Sequence, residues 1–134
     1  MSTLFVRYEV PTLRAFFPPE KRDRFVQLLG NSNGRRDALK TMHHVVNFDP
    51  KWSASLDATS DVVELLRGKG AGPKAYVIGT SKDQRVLPLD EAVGCVEKES
   101  GILVCRPGRL AYYCDEGRKR RIILERGNSD RDLQ

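Results

Sequence analysis

The sequence has few of the residues on which disulfide frameworks and metal sites depend. It contains 3 cysteines and 2 histidines in 134 residues. An odd cysteine count without paired spacing argues against a secreted disulfide framework, so we expect Cys95, Cys105 and Cys114 to be buried thiols. His43 and His44 are adjacent, and their side chains diverge on a helix or a strand. Without Cys-x-x-Cys or His-x-x-x-His spacing we expect no metal and no other cofactor.

Long apolar runs are also missing. No stretch approaches the length that spans a bilayer, and Arg7, Glu9 and Arg14 interrupt the N-terminal segment where a signal peptide would be apolar. We therefore expect a cytoplasmic protein that does not enter a membrane.

Internal repeats, low-complexity segments and Gly/Ser/Pro-rich linkers are absent as well. Apolar residues make up 40% of the chain and fall in short clusters such as FVQLL, AYVIG, GILVC and RIILE. This pattern indicates one globular domain over residues 1–126, followed by a flexible polar tail over 127–134. We recognise no family of known function in these motifs, and the stretch from AYVIG through LPLDEAV to PGRLAYY is typical of a small bacterial protein.

The first third of the chain predicts one strand and one helix. Apolar and charged residues alternate in LFVRYEV, which is typical of a half-buried strand over residues 4–10 that ends at Pro11. Pro18 and Pro19 favour the start of a helix that ends at Gly30.

A second helix is predicted from Arg35, with apolar residues three and four apart. It cannot pass Asp49, which precedes a proline. The β-branched valines near its end leave helix and strand open for residues 43–48, and the segment 51–58 is ambiguous.

The stretch RGKGAGPK, residues 67–74, has the glycines and cations of a phosphate-binding loop. Such a loop follows a strand and leads into a helix, whose N-terminal amides face the anion. Here a helix that begins at Asp61 precedes the loop and a strand follows it. We therefore interpret Gly68 as the left-handed residue that ends the helix, and Pro73 as the residue that prevents its continuation.

The second half of the chain predicts strands that finish a sheet. In order these are a strand at 75–79, a polar loop at 80–85, a helix from Pro88, and strands at 101–105, 110–114 and 121–126. Only short turns separate the last three strands, which favours an antiparallel meander. The fold class is α+β (or α/β): a single domain with early helices and a mixed sheet completed by this meander.

Basic residues near these turns suggest contacts to an anionic partner. The net charge is +5, and the one dense basic run is RKRR. Tyr112 and Tyr113 on the preceding strand could stack on bases. The candidate contact residues are Arg106, Arg109, Arg118, Lys119, Arg120 and Arg121. The alternative for RKRR is a solvated turn that leads into an edge strand protected by charge.

The RPGR turn itself also allows a prediction. A two-residue hairpin would place Cys105 opposite Leu110 and Cys114 opposite Gly101, which makes a disulfide between these cysteines geometrically unfavourable. A Pro-Gly pair favours a type II turn, however, so we expect a wider loop.

Two weaker candidates remain. The loop after the strand at 75–79 holds Ser81, Lys82 and Asp83, which could contact a polar ligand. Cys105 lies beside Arg106, and a nearby cation could stabilise its thiolate, although the apolar run before it predicts burial.

The sequence therefore favours a non-catalytic domain that binds a protein partner or a small ligand through loops of the C-terminal sheet. Nucleic-acid binding through the basic C-terminal hairpin is the alternative. An enzyme that uses Cys105 or the loop from Ser81 to Asp83 ranks third, so catalysis is not expected. The first reading is compatible with a homo-oligomer.

Overall fold

A computed structural model describes residues 3–45, 48–57, 59–115 and 120–126 of the chain. Five α-helices and six strands lie in this described part, which confirms the α+β class. The helices are α1 Val10–Phe16, α2 Pro19–Gly30, α3 Ser32–Val45, α4 Val62–Gly68 and α5 Leu89–Glu99. The strands are β1 Ser53–Ser55, β2 Lys74–Ile78, β3 Arg85–Pro88, β4 Gly101–Arg106, β5 Leu110–Cys114 and β6 Arg121–Glu125.

The six strands form one sheet in the order β1-β6-β5-β4-β2-β3. Each of the pairings described is antiparallel. The meander β4-β5-β6 is confirmed, and the sheet is antiparallel where a mixed sheet was expected. The reason is that β2 lies between β3 and β4. The hairpin makes β3 antiparallel to β2, and the crossover through α5 places β4 parallel to β3 but on the other side of β2, so no two neighbouring strands are parallel.

Helices cover both faces of the sheet. Side chains from alternate strand positions, among them Tyr76, Val104 and Tyr113, pack with residues of α1, α2 and α3. The intervening positions, among them Val77, Leu103 and Tyr112, pack with residues of α4 and α5. Because successive strand residues point to opposite faces, burial of both faces explains why these strands read as unbroken apolar runs.

The N-terminal segment is helical, so the predicted strand at residues 4–10 is wrong. Phe5–Glu9 form a π-helical turn that continues into α1. The buried residues Phe5 and Glu9 are four apart, and Val6 is 53% exposed. Pro11 is the second residue of α1, which continues the π-helical turn, so its missing N–H interrupts the backbone hydrogen bonds of a continuous helical segment. The alternation predicted a strand because it assigned Val6 to the buried face and Glu9 to solvent. In the structure Glu9 is buried and Val6 is exposed.

The other predicted helices are confirmed with small shifts. α2 begins at Pro19 and ends with Gly30, and α5 begins after Pro88. α3 begins three residues before Arg35, and its last residue is Val45, so the first part of 43–48 is helix while residues 46–47 lie outside the described residues.

The RGKGAGPK stretch closes α4 by a Schellman motif. The N–H of Gly70 bonds to the carbonyl of Arg67 over 3.1 Å, and the N–H of Ala71 bonds to that of Leu66 over 2.9 Å. Gly70 has a φ of 103°, whereas Gly68 is the last helical residue. The prediction that Gly68 is the left-handed residue is therefore wrong, and that residue is Gly70. Gly68 is the last helical residue and Lys69 is the C-cap, so the left-handed position falls two residues after Gly68.

The edges of the sheet differ from the prediction. β1 and β3 were not predicted, because both are short and largely exposed. β1 pairs with β6, so the strand that starts at Arg121 lies inside the sheet and is not an edge strand.

The turn between β4 and β5 is wider than two residues, as expected. Its register shifts between Val104 and Arg106, so Arg106 rather than Cys105 lies opposite Leu110, while Gly101 pairs with Cys114. Gly108 has a φ of 74°, in agreement with a type II turn.

None of the described helices is long and apolar enough to cross a membrane. The predicted tail at 127–134 lies outside the described residues.

Candidate functional site

The residues predicted to contact a ligand occupy separate places on the sheet. Arg106 and Arg109 flank the turn after β4. Arg120 and Arg121 lie at the start of β6, which is the opposite end of the sheet because β5 joins the two turns. The five residues of β5 span about 17 Å, which separates the two turns by that distance. Arg118 and Lys119 lie outside the described residues, so the described part of the chain does not unite the two groups into one basic hairpin.

Arg121 lies in the interior. Only 4% of the surface of Arg121 is exposed. Nε donates to the hydroxyl of Tyr112 and to Glu97, and Nη2 donates to Glu97 over 2.6 Å. The carbonyls of Asp57 and Ser60 accept its remaining bonds. Burial lowers the pKa of Arg121, but the bonds to Tyr112 and Glu97 outweigh this and hold the pKa above its usual value. Its guanidinium thus joins β5, β6, α5 and the loop before α4.

Arg120 lies nearer the surface. Its guanidinium carbon is 5.8 Å from the centre of the Tyr113 ring. Both predicted stacking residues, Tyr112 and Tyr113, are fully buried, so their rings are covered by the protein itself.

The loop after β2 is occupied by internal contacts. The N–H and hydroxyl of Ser81 donate to Glu99 over 2.9 and 3.0 Å, and these bonds hold the pKa of Glu99 below its usual value. Asp83 accepts two bonds from Arg35 and one from the amide of Gly79. Lys82 donates its amide to Thr80 and is half-buried. Ser81 and Asp83 thus hold the β2–β3 loop in place.

An ion cluster around Arg35 was not predicted from the sequence. Arg35 donates two bonds to Glu9 over 2.8 and 2.9 Å and two to Asp83 over 2.8 Å, and it also bonds to the carbonyl of Leu29. The hydroxyl of Tyr76 donates to the same fully buried Glu9 carboxylate. These bonds use all five N–H groups of a guanidinium. The cluster joins the N-terminal helix, α3 and the β2–β3 loop.

The cysteines lack the features of a nucleophile. Burial raises the pKa of Cys105 to about 12. Burial also raises the pKa of Cys95, whose thiol contacts Thr80 and Glu99. All three cysteines are free thiols. Among the residues with described side chains, no three His, Cys, Asp or Glu residues are grouped as metal ligands.

Cations from four separate segments meet at the end of the sheet that holds the β4–β5 turn. A Cβ placed on Gly70 would lie 3.2 Å from Arg106 Nη1, so Arg106 lies over the end of α4 beside Lys69. The amide of Arg126 donates to the carbonyl of Arg109 over 2.8 Å. We call this cluster the basic end; its residues are Lys51, Lys69, Arg106, Arg109 and Arg126.

Trp52 lies within the basic end. The guanidinium carbon of Arg126 is 4.7 Å from the centre of its ring, and Nζ of Lys51 is 5.7 Å away. One side of Trp52 packs against the core, and the residue stays partly exposed. A cation over an aromatic face is attracted by the ring, so the indole helps to hold these cations together.

A depression of about 320 Å³ adjoins Trp52 on the α4 side of the sheet edge. It is lined by Lys51, Trp52, Ser53, Ala54, Leu56, Leu65, Lys69, Ile123 and Glu125. Lys69 Nζ donates to Glu125 over 2.7 Å across it. An apolar floor with charged groups at the rim suits a ligand that has both a flat apolar part and an anionic part.

Sequence reasoning identified Arg106 and Arg109 but missed the rest of the basic end. Lys51 and Arg126 are single cations in segments far apart along the chain, and Lys69 belongs to the RGKGAGPK stretch, which was interpreted as a helix end. The single tryptophan between two polar stretches was the one available signal, since a lone exposed aromatic often marks a contact surface.

A second concave surface runs along α2 and α3, which pack against each other. Phe25, Leu28 and Ala38 line it together with Glu20, Lys21, Arg24, Gly34, Asp37 and Thr41. The volume is about 540 Å³, with an apolar floor and charged rims.

Comparison of the chain with protein-family models, curated proteins and solved structures finds no match.

Proposed function

We propose that the protein is a non-catalytic binding domain whose ligand is nucleic acid, held by the basic end. The observation that carries this proposal is that the cations of Lys51 and Arg126 lie over the ring of the partly exposed Trp52, while Lys69 lines the depression beside that ring. Lysine and arginine supply phosphate contacts, and an aromatic ring supplies a stacking surface.

The chemistry of the remaining candidates supports a binding role over catalysis. Burial raises the pKa of Cys105, and a raised pKa disfavours the thiolate that a cysteine nucleophile needs. The N–H and hydroxyl of Ser81 both donate to Glu99, and these bonds hold the β2–β3 loop in place. Phosphate binding, in contrast, needs only exposed cations in a cluster.

The test is fluorescence anisotropy with labelled single- and double-stranded DNA and RNA at several salt concentrations. The variant Lys51→Ala/Arg106→Ala removes two exposed charges from the basic end. The matched control Arg36→Ala/Lys40→Ala removes two exposed charges from α3. We expect the first variant to weaken binding by at least about tenfold and to flatten the salt dependence by about one unit per lost phosphate contact, while the control binds normally.

Two results would overturn the proposal. One is the absence of binding at low salt for every nucleic acid. The other is an equal loss of affinity in both double variants, which would mean that net charge rather than the basic end attracts the ligand.

A second candidate function is self-association through the groove between α2 and α3. The α2 rim carries exposed Arg24 and the α3 rim carries exposed Asp37, so two copies related by a twofold axis would pair Arg24 of each with Asp37 of the other. We expect sedimentation equilibrium to detect a dimer that Asp37→Arg weakens and that Asp37→Arg/Arg24→Asp restores. A monomer at all concentrations would remove this candidate.

A further inference from the structure

The depression beside Trp52 has the size and lining of a site for one flat ring. Its volume of about 320 Å³ is at the small end of ligand pockets, which run from about 300 to 1,000 Å³. Leu56, Leu65 and Ile123 provide apolar walls. Lys51, Lys69 and Glu125 lie at the rim, where Lys69 Nζ donates to Glu125 over 2.7 Å. A nucleobase combines a flat apolar face with a phosphate a short distance away, which matches this arrangement.

The edge strand adds hydrogen-bonding groups next to the depression. The amide of Leu56 bonds to the carbonyl of Arg121 over 2.7 Å, and the antiparallel register continues as Ser55↔Ile122, Ala54↔Ile123 and Ser53↔Leu124. Bonded and non-bonded pairs alternate in such a ladder. The amide and carbonyl of Ser53 therefore point away from β6, where a base edge can pair with them.

We infer that this depression receives an unpaired nucleobase, so that the protein prefers single-stranded nucleic acid to a duplex. The inference rests on the proposed function and adds the class of ligand. A base within a duplex is stacked and paired and cannot enter a depression on a protein surface, whereas a base of a single strand can. The phosphates on either side of the bound base then reach the exposed Lys51 and also Lys69, which exchanges its bond to Glu125 for one to phosphate.

The test compares three ligands of equal length with the whole chain: a single-stranded oligonucleotide, in DNA and RNA forms, its duplex, and an abasic oligonucleotide that keeps the phosphates. Trp52 is the only tryptophan, so intrinsic fluorescence reports on this site alone. We expect the single strand to bind about tenfold tighter than the abasic strand and the duplex, because one base gains a stacking contact. We also expect Trp52 fluorescence to change with the base-bearing single strand and not with the abasic one.

A matched pair of variants tests the depression itself. Ala54 shares the sheet face of Ile123 and is exposed, so Ala54→Phe fills the depression and leaves every cation in place. Ser55 shares the opposite face with Ile122, so Ser55→Phe adds a ring to the same strand on the other side. We expect Ala54→Phe to remove the preference for bases while the salt dependence persists, and Ser55→Phe to retain the preference.

The outcomes separate the two proposals. Equal affinity for the base-bearing and abasic strands, or a base preference that survives Ala54→Phe, overturns the base site but leaves nucleic-acid binding by the basic end intact. The absence of binding to all three ligands at low salt overturns both.

Discussion

Arg121 donates a 2.6 Å hydrogen bond from Nη2 to Glu97 Oε2, and the arginine is almost completely buried. The last residue of the RKRR run is therefore a structural residue that ties β6 to α5. Its bonds to the carbonyls of Asp57 and Ser60 also fix the segment that leads into α4. The two described members of RKRR therefore differ, because Arg121 is buried whereas Arg120 is partly exposed.

Replacement of Arg121 by methionine should destabilise the protein strongly. The substitution removes the charge and the hydrogen bonds but keeps much of the side-chain volume. It leaves Glu97 and two carbonyls without these donors, which should cost about 3–5 kcal/mol of unfolding free energy. Urea denaturation measures this loss, and exposed Arg36→Met serves as the control, with a change within about 0.5 kcal/mol. A small loss at Arg121 would contradict its structural role.

The tyrosines should resist ionisation in the folded protein. Burial raises the pKa of Tyr113 to about 12. Burial, together with the bonds to Glu9 and Glu97 respectively, holds the pKa values of Tyr76 and Tyr112 above their usual value. We expect absorbance at 295 nm to show that Tyr76, Tyr112 and Tyr113 do not ionise near pH 10 in the folded protein. In guanidinium all four tyrosines should titrate there.

The same shifts predict a loss of stability at alkaline pH. Because the folded-state pKa of each of these tyrosines exceeds the unfolded value near 10, their contribution is fully present below about pH 10 and is lost as the pH rises towards the folded values. The unfolding free energy should fall by about 1.4 kcal/mol per pH unit for each such tyrosine. Urea unfolding between pH 8 and 12 measures the slope. Tyr113→Phe should reduce this slope by about 1.4 kcal/mol per pH unit. An unchanged slope in that variant would contradict the raised pKa of Tyr113.

Cys105 should be almost inert towards thiol reagents in the folded protein. With a pKa of about 12, its thiolate fraction at pH 8 is roughly a thousandfold smaller than that of an ordinary cysteine. Labelling with a chromogenic disulfide reagent, followed by peptide mapping, measures each thiol separately. The urea-unfolded chain is the control, in which all three thiols should react quickly. Rapid labelling of folded Cys105 would return it to consideration as a nucleophile.

The sequence predicted the elements whose signals are local. Pro19 begins α2 because a proline fits the first turn of a helix, and Pro88 is the N-cap residue directly before α5. The Pro107-Gly108 pair forms the wider type II turn that these residues favour. The strands β4, β5 and β6 followed from apolar runs separated by short turns. Each of these features depends on residues within a few positions of one another.

The features that were missed depend on distant partners. Glu9 can be buried in a helix only because Arg35 and Tyr76 reach its carboxylate from positions 26 and 67 residues away. Without them the segment reads as an amphipathic strand. The basic end has the same origin, since Lys51, Lys69 and Arg126 become neighbours only when β1 pairs with β6 and α4 packs beside that pair.

Gly68 and Gly70, two of the three glycines of RGKGAGPK, should respond to alanine with opposite changes in stability. Gly68 is helical, and a Cβ there meets nothing within 4 Å, so Gly68→Ala should stabilise the protein by up to about 1 kcal/mol. Gly70 has a φ of 103°, and its new Cβ would press on Arg106, so Gly70→Ala should destabilise by about 1–2 kcal/mol. Urea denaturation with an unchanged m-value measures both effects. Because Gly70 ends a helix rather than starting one, neither substitution should create or remove an amide-lined phosphate site. Shifts of the same sign in the two variants would contradict the Schellman cap at Gly70.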